Sequence, residues 1–447
     1  VLGHGRRFQR TLKPPLWQAD AEYMRRVREN ALCAFMASAG CVTIAWLGLY
    51  GFAWSDYEIE AQPAFEALAH GHVLAFLRLA PAYGGSLVER APFALIPGVW
   101  GGGQLAVYRM VALPCLLAAA VLAVWLCAQM RAAGRSTLSR AVVLGICVAN
   151  PLTLRALEVG HPEELLGACL CVAAMLLSGR GRPVWAGALF GLAIANKDWA
   201  LLALGPVLWA LPSRPGVRRR RQAGICLATA GATAAIILAP LALASPGGFA
   251  AQTSGAALAQ QEIFQPFELW WFLGTPNHVP APSGHPRTVP VGAPLSTHPQ
   301  WRLAPAWLTG LPHPLIIMLA LPLTLLAWRH RRPGSPLLLL ALLLALRCVL
   351  DPWDTDYYAL PFIFALLAWE LRGENAGPPV LALSSTALAW VSYQWLPSHV
   401  SPDAQAAFFL AWTLPLIAAL ALRLYAPGRL SGSSRRARPA VRTAAST

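Results

Sequence analysis

The chain has 447 residues, 56% of them hydrophobic and only 12% charged, with a formal net charge of +15. Soluble domains carry about 25% charged residues, so the composition excludes an ordinary soluble domain and points to a polytopic membrane protein. The basic residues cluster between apolar runs rather than along a groove interleaved with aromatics, which argues for membrane lipids and against nucleic acid as a partner.

In chain order, a basic segment at 1–30 precedes twelve apolar runs. They fall at 31–53, 105–130, 141–157, 164–178, 183–196, 199–212, 223–245, 313–329, 336–350, 358–371, 379–396 and 406–425, and a basic tail follows at 426–447. Most approach the roughly 20 residues that cross a bilayer. Backbone amides in hydrocarbon must find partners within their own segment, so each run is expected to be a helix. The first run is read as a retained span, because no small-residue cleavage site follows it.

If the chain changes sides at every run, one side holds 27 of the 35 Lys and Arg and five of the 20 acids. That side has a net charge of +22 and the other −7, which places the basic side in the cytoplasm. The two long connections, 54–104 and 246–312, are then external. The expected fold is an all-α polytopic membrane protein, with residues 31–425 forming one bundle of about 12 transmembrane helices. In the first long loop "EIEAQPAFEALAHGHVLAFL" predicts an amphipathic helix along the interface, whereas the second is rich in Pro, Gly and His. Nine cysteines lie in or beside the apolar runs and indicate neither a disulfide framework nor a zinc site.

The external side gathers the polar residues a site needs. In "WSDYEIEAQ", Asp56 directly follows the first run. An acid there can take a proton from a hydroxyl arriving from outside, or simply end a helix as a solvated charge. Glu58 is a nearby candidate for substrate contact. In "RALEVGHPEE", His161 beside Glu163 and Glu164 suits a sugar-hydroxyl or phosphate contact as well as a helix cap, and a single histidine is a poor metal signal. In "ANKDWA", Lys197 and Asp198 sit at the tip of a short helical pair, and Lys197 is the only lysine outside the N-terminal segment. A lysine there is a point charge suited to a phosphate oxygen; the alternative is a salt-bridged turn with a neighbouring carboxylate.

"LDPWDTDYY" places Asp351, Asp354 and Asp356 within six residues. Hard cations favour such oxygen clusters, so a divalent metal is one reading. A solvated rim with Trp353, Tyr357 and Tyr358 at the interface is the other, and no cofactor is expected. Asp356 and Tyr357 are further candidates for substrate contact. Arg90, Arg109, Arg155, Glu158, Asn196, Glu262 and Glu268 complete the polar set on this side.

Three stretches carry a family likeness: "SDYEIEAQPAFEALAHG", "PAYGGSLVERAPFALIP" and "GRPVWAGALFGLAIANKDWALLALGPVL". In this order they resemble the multi-span GT-C glycosyltransferases that take sugars from polyprenyl phosphates. The likeness is to an actinobacterial-type branch of polyprenyl-phosphate-mannose-dependent α-mannosyltransferases. It covers most of 46–212 and, more loosely, 340–371. Two places depart from the family pattern: Gly160-His161 stands where Gly-Gln is common, and Tyr83 precedes Gly-Gly rather than two prolines.

The resemblance implies a GT-C-like bundle in which Asp56 is the catalytic base. Lys197 would contact the donor phosphate, with Arg109 in "VYRMVALP" a second contact. It further implies a polyprenyl-phosphate sugar, mannose, as donor and a lipid or glycan hydroxyl as acceptor, in an inverting transfer outside the cell membrane. A lipid phosphate leaves without a proton, so one base suffices where glycosidases use two carboxylates. A secondary transporter or lipid-linked sugar flippase is the competing reading, favoured by the span count and the short pair around Lys197. Unmatched halves and charges crowded on one face speak against it. A catalytically silent scaffold is a third reading.

Overall fold

A computed structural model describes residues 16–50, 56–212, 219–257, 263–276, 302–330, 335–352, 354–373 and 377–426. Glu262, Trp353, the first fifteen residues of the basic segment, the tail from 427 and the 277–301 stretch of the second long loop lie outside them. Helix α1 (Leu16–Tyr50) runs from the basic segment through the first apolar run. The chain resumes at Asp56, which caps a π-helical turn over Tyr57–Ala61. Such widened turns recur at functional sites.

Helices α2 (Gln62–Ala69) and α3 (Val73–Leu79) follow, separated at Gly71, whose φ is +79°. The interfacial helix expected here is thus split in two. Helix α2 turns Ala64, Phe65 and Leu68 inward, whereas α3 buries only Phe76 and exposes Val73, Leu74 and Leu79. Helix α4 (Gly84–Ala94) buries Arg90 along with Leu87. With the start of α5 (Gln104–Ala132) these segments enclose a small core of Tyr57, Phe65, Phe76, Leu87 and Tyr108.

The apolar run at 141–157 is not one helix. It divides into α6 (Thr137–Val148) and α7 (Pro151–Val159). The Asn150 side chain accepts from the Leu152 amide at 2.9 Å, and Pro151 takes the first helical position, where a missing N–H costs nothing. Next come α8 (Glu163–Gly179) and α9 (Pro183–Asn196), then a 3₁₀ segment over Asp198–Ala203 and α10 (Leu204–Ala210). Beyond them lie α11 (Arg219–Ala244) and α12 (Pro246–Ala257).

Helix α9 lies tight against α11 because two glycines four residues apart remove side chains at the crossing. A Cβ on Gly187 would stand 2.3 Å from the Cys226 carbonyl oxygen, and one on Gly191 2.4 Å from that of Ala230. Membrane helices approach closely at such small-residue positions. Three two-residue strands, β1 (Ile263–Phe264), β2 (Thr275–Pro276) and β3 (Arg302–Leu303), pair antiparallel in the order β1-β3-β2. The remaining helices are α13 (Pro312–His330), α14 (Ser335–Leu350), α15 (Ala359–Glu370), α16 (Val380–Trp390) and α17 (Pro402–Tyr425).

Among the described residues five helical segments are long and apolar enough to cross a membrane: α5, α6 with α7, α11, α13 and α17. The most apolar stretches of α11, α13 and α17 are only 22% buried, so these helices offer their sides to lipid. Helix α14 is different. All of its leucines but Leu346 are buried, and at sixteen residues it is a shorter apolar helix enclosed by its neighbours. Apolar helices of this kind make this a membrane protein.

Candidate active site

The turn after α7 sets the geometry. Gly160 closes α7 at φ +107°, a conformation that L side chains rarely adopt. A Cβ at 160 would also stand 2.5 Å from the Tyr57 Cβ and 2.8 Å from its amide nitrogen. Glycine therefore lets this turn press against the π-helical turn, and His161 comes to face Asp56. Its Nε2 lies 3.4 Å from Asp56 Oδ2 and 4.0 Å from Glu60 Oε2. Asp56 and Glu60 are four residues apart and share a face of their turn. Glu60 also accepts from the Tyr83 hydroxyl at 2.6 Å.

Behind His161 lies a buried charge cluster. Its Nδ1 is 2.7 Å from Oε1 of Glu163, a side chain fully enclosed at the start of α8. Glu163 also pairs with Arg90 from α4 and Lys197 from the end of α9, each at 3.3 Å. Glu164 meets Lys197 at 3.5 Å and Arg347 of α14 at 3.8 Å. Asn196 fixes the α9 terminus by donating to the Glu163 carbonyl at 2.8 Å. The Lys197 ammonium stands 4.1 Å over the Tyr83 ring, and the Arg347 guanidinium 4.1 Å over Tyr358.

Four cationic side chains thus surround two buried carboxylates. Of the four, Lys197 is the most accessible, at 12% exposure. Burial would pull the His161 imidazole below its ordinary value. The Glu163 carboxylate and the contacts to Asp56 and Glu163 outweigh that and push it up to about 9.

The structure sorts the residues singled out in the sequence. Asp56, His161 and Lys197 converge, and Tyr357 joins them with its ring 5.0 Å from that of His161. Asp56 stays one-third exposed. Glu58 and Asp198 are exposed, whereas Glu60 is half-buried and faces His161. Arg109 is exposed on α5, next to buried Tyr108, whose hydroxyl donates to the Leu157 carbonyl. Lys197 pairs with Glu163 and Glu164 while keeping 12% exposure, which leaves both a salt-bridged turn and a phosphate contact open to it.

The three acids of "LDPWDTDYY" go to separate partners. Asp351 pairs with His313 at 3.2 Å and Arg347 at 3.7 Å, and Asp354 accepts from the Tyr393 hydroxyl. Asp356 pairs with Arg155 at 3.0 Å and accepts from Gln394 at 2.5 Å. Among the described residues no group of three or more His, Cys, Asp or Glu is placed to hold a metal ion.

The sequence does not single out Tyr83 or Arg347 for the site, it ranks Glu60 below Asp56, it marks Glu163 and Glu164 only as neighbours of His161, and it holds Arg90 only in the wider polar set. A signal existed for two of these. Arg347 interrupts a leucine-rich run, and an ionisable group inside an apolar helix is a functional pointer. Glu60 shares a helical face with Asp56. Tyr83 and Arg90 arrive through the packing of α4, which leaves no local mark.

Chemically, the site offers a partly exposed carboxylate that can take a proton beside a cluster of cations that can hold an anion. No curated protein matches the chain. The sequence pattern of glycosyltransferase family 87, however, matches residues 85–352, more than half of the chain. The matched stretch takes in Arg90, the turn bearing His161, Glu163 and Glu164, Lys197 and Arg347, whereas Asp56 lies outside it. On that match the chain belongs to glycosyltransferase family 87.

Proposed function

We propose that the protein moves a sugar, mannose, from a polyprenyl-phosphate donor to a hydroxyl of a lipid or glycan acceptor, with inversion at the anomeric carbon. Asp56 is the general base. The observation that carries this reading is a one-third-exposed carboxylate at the edge of a buried cationic cluster. Asp56 takes the proton of the acceptor hydroxyl, and the hydroxyl oxygen bonds to the anomeric carbon. The bond from that carbon to the donor phosphate breaks, and the phosphate departs as an anion without needing a proton. Lys197, the most accessible of the clustered cations, holds the phosphate oxygens as charge develops. Arg109, exposed near the start of α5, is a second contact.

The chain crosses the bilayer twelve times with both termini cytoplasmic, and the site faces outward. The convergence of segment ends supports this. The π-helical turn after α1, the α7–α8 turn, the end of α9 and the α14–α15 connection all meet at the site. In an alternating topology those ends lie on one side. A lipid-borne donor presents its sugar at that depth. The test is transfer from a synthetic polyprenyl-phosphate mannose by the purified protein. Asp56→Asn is expected to lower turnover by about 10²- to 10⁴-fold while donor binding survives. Wild-type turnover in the variant removes Asp56 from this role.

A further inference from the structure

His161 is held between carboxylates on opposite ring nitrogens. Nδ1 lies 2.7 Å from Glu163, and Nε2 lies 3.4 Å from Asp56 and 4.0 Å from Glu60. Glu163 also faces Arg90 and Lys197, so it is a carboxylate with no proton to lend, and the hydrogen on that contact belongs to Nδ1. Nε2 faces two acids, each able to accept, so the arrangement favours a hydrogen on both nitrogens and with it the imidazolium form. The ring is 5% exposed, with the rings of Tyr83 and Tyr357 at 5.6 and 5.0 Å.

We propose that His161 is the positioning residue of Asp56, an imidazolium anchored through Glu163 to the buried cluster that holds the Asp56 carboxylate in place for the acceptor hydroxyl. This rests on the reading of Asp56 as general base. The proton taken from the acceptor goes to Asp56 and on to water. His161 keeps both of its own throughout, so its charge is not consumed in the cycle.

The groups facing the ring set its pH response. Asp56 and Glu60 face it from the π-helical turn, Glu163 from α8, Lys197 from the end of α9, Tyr83 from the start of α4 and Tyr357 from the segment before α15. The three carboxylates favour the charged ring and Lys197 opposes it. When pH rises through about 9 the ring loses one proton. Glu163 retains the one on Nδ1, so Nε2 gives up its own and turns a lone pair toward Asp56. The carboxylate is then repelled where it had been held.

Two measurements test this. With ¹⁵N-histidine protein in nanodiscs, the His161 signal is assigned by its loss in His161→Gln. It should titrate near pH 9 in the wild type and move toward the ordinary imidazole range in Asp56→Asn and in Glu163→Gln. A His161 ring that is neutral at pH 7 overturns the proposal.

In transfer assays wild-type turnover should fall on the alkaline side. His161→Gln, an uncharged donor, should run about tenfold slower with that alkaline fall gone, and His161→Leu about 100-fold slower. The same alkaline fall in His161→Gln as in the wild type also overturns it. The two readings fail separately. If Asp56→Asn turns over like the wild type, the base assignment is wrong. If Asp56→Asn is inactive while His161→Gln keeps the wild-type profile, only the positioning role is wrong.

Discussion

Lys197 holds two buried carboxylates at once, so its loss acts on folding as well as on ligand. Leaving a buried charge wholly unpaired costs about 3–5 kcal/mol; here Glu163 keeps Arg90 and His161 and Glu164 keeps Arg347, so the loss is smaller. Lys197→Ala should therefore lower the thermal midpoint of the detergent-solubilised protein, and adding Glu164→Gln in the same chain should recover part of the loss. An unchanged midpoint in Lys197→Ala would mean that Glu163 and Glu164 find their compensation elsewhere. His161 acts on stability in the same currency. Its folded pKa of about 9 lies above the ordinary value of about 6.5. Its stabilisation is thus complete below the ordinary value and disappears as pH rises through about 9. Unfolding midpoints should drop between pH 7 and 10 in the wild type and flatten in His161→Gln. At this scale Asp56, His161 and Lys197, which the structure brings together, were singled out in the sequence, Lys197 as a lone lysine between apolar runs and the other two from acid-rich stretches that interrupt such runs. Arg90 and Tyr83 were not, since what makes them part of the site is the docking of α4 on the turn after α1.

Elements show the same division. The apolar runs told where helices lie, but not where they break. Asn150 and Pro151 end one helix and start the next inside a run that reads as continuous. The run at 199–212 opens with a 3₁₀ segment rather than a full helix. The α9–α11 crossing was present in the sequence only as a glycine spacing. Gly191→Leu should lower yield and stability sharply, because the obstacle is the Ala230 main chain rather than a side chain that can move. Gly231→Ala is the control. A Cβ there meets nothing within 4 Å, so this change should leave stability equal or raise it by up to about 1 kcal/mol. Equal behaviour of the two variants in thermal unfolding would show that the crossing is looser than these distances imply.

For the whole molecule, the proposed orientation makes two positions differ. Gly247 lies exposed after α11, on the side proposed as external, and Ala133 lies exposed between α5 and α6, on the side proposed as cytoplasmic. In intact cells an impermeant maleimide should label Gly247→Cys at once and Ala133→Cys only after permeabilisation. The nine native cysteines are buried or half-buried and give a low background. The reverse pattern would turn the site toward the cytoplasm. Charge asymmetry along the chain was readable because loops keep their sign whatever the helices do. The convergence of the α1, α7, α9 and α14 ends was not, because it depends on how the helices pack.

Enclosure of α14 has a consequence for how the enzyme meets its solvent. Arg347 and Glu164 sit in and against a helix wrapped by protein rather than acyl chains, so their surroundings do not change with the length of the lipid tails. Adjustment to a thicker or thinner bilayer falls instead on α11, α13 and α17, whose sides are open and which can tilt at a cost of fractions of a kcal/mol per Å. Reconstituted into phosphatidylcholines of increasing chain length, the protein should keep a nearly constant affinity for the proposed polyprenyl-phosphate donor. A helix that hydropathy counts among the membrane spans would then be what insulates the chemistry from the membrane.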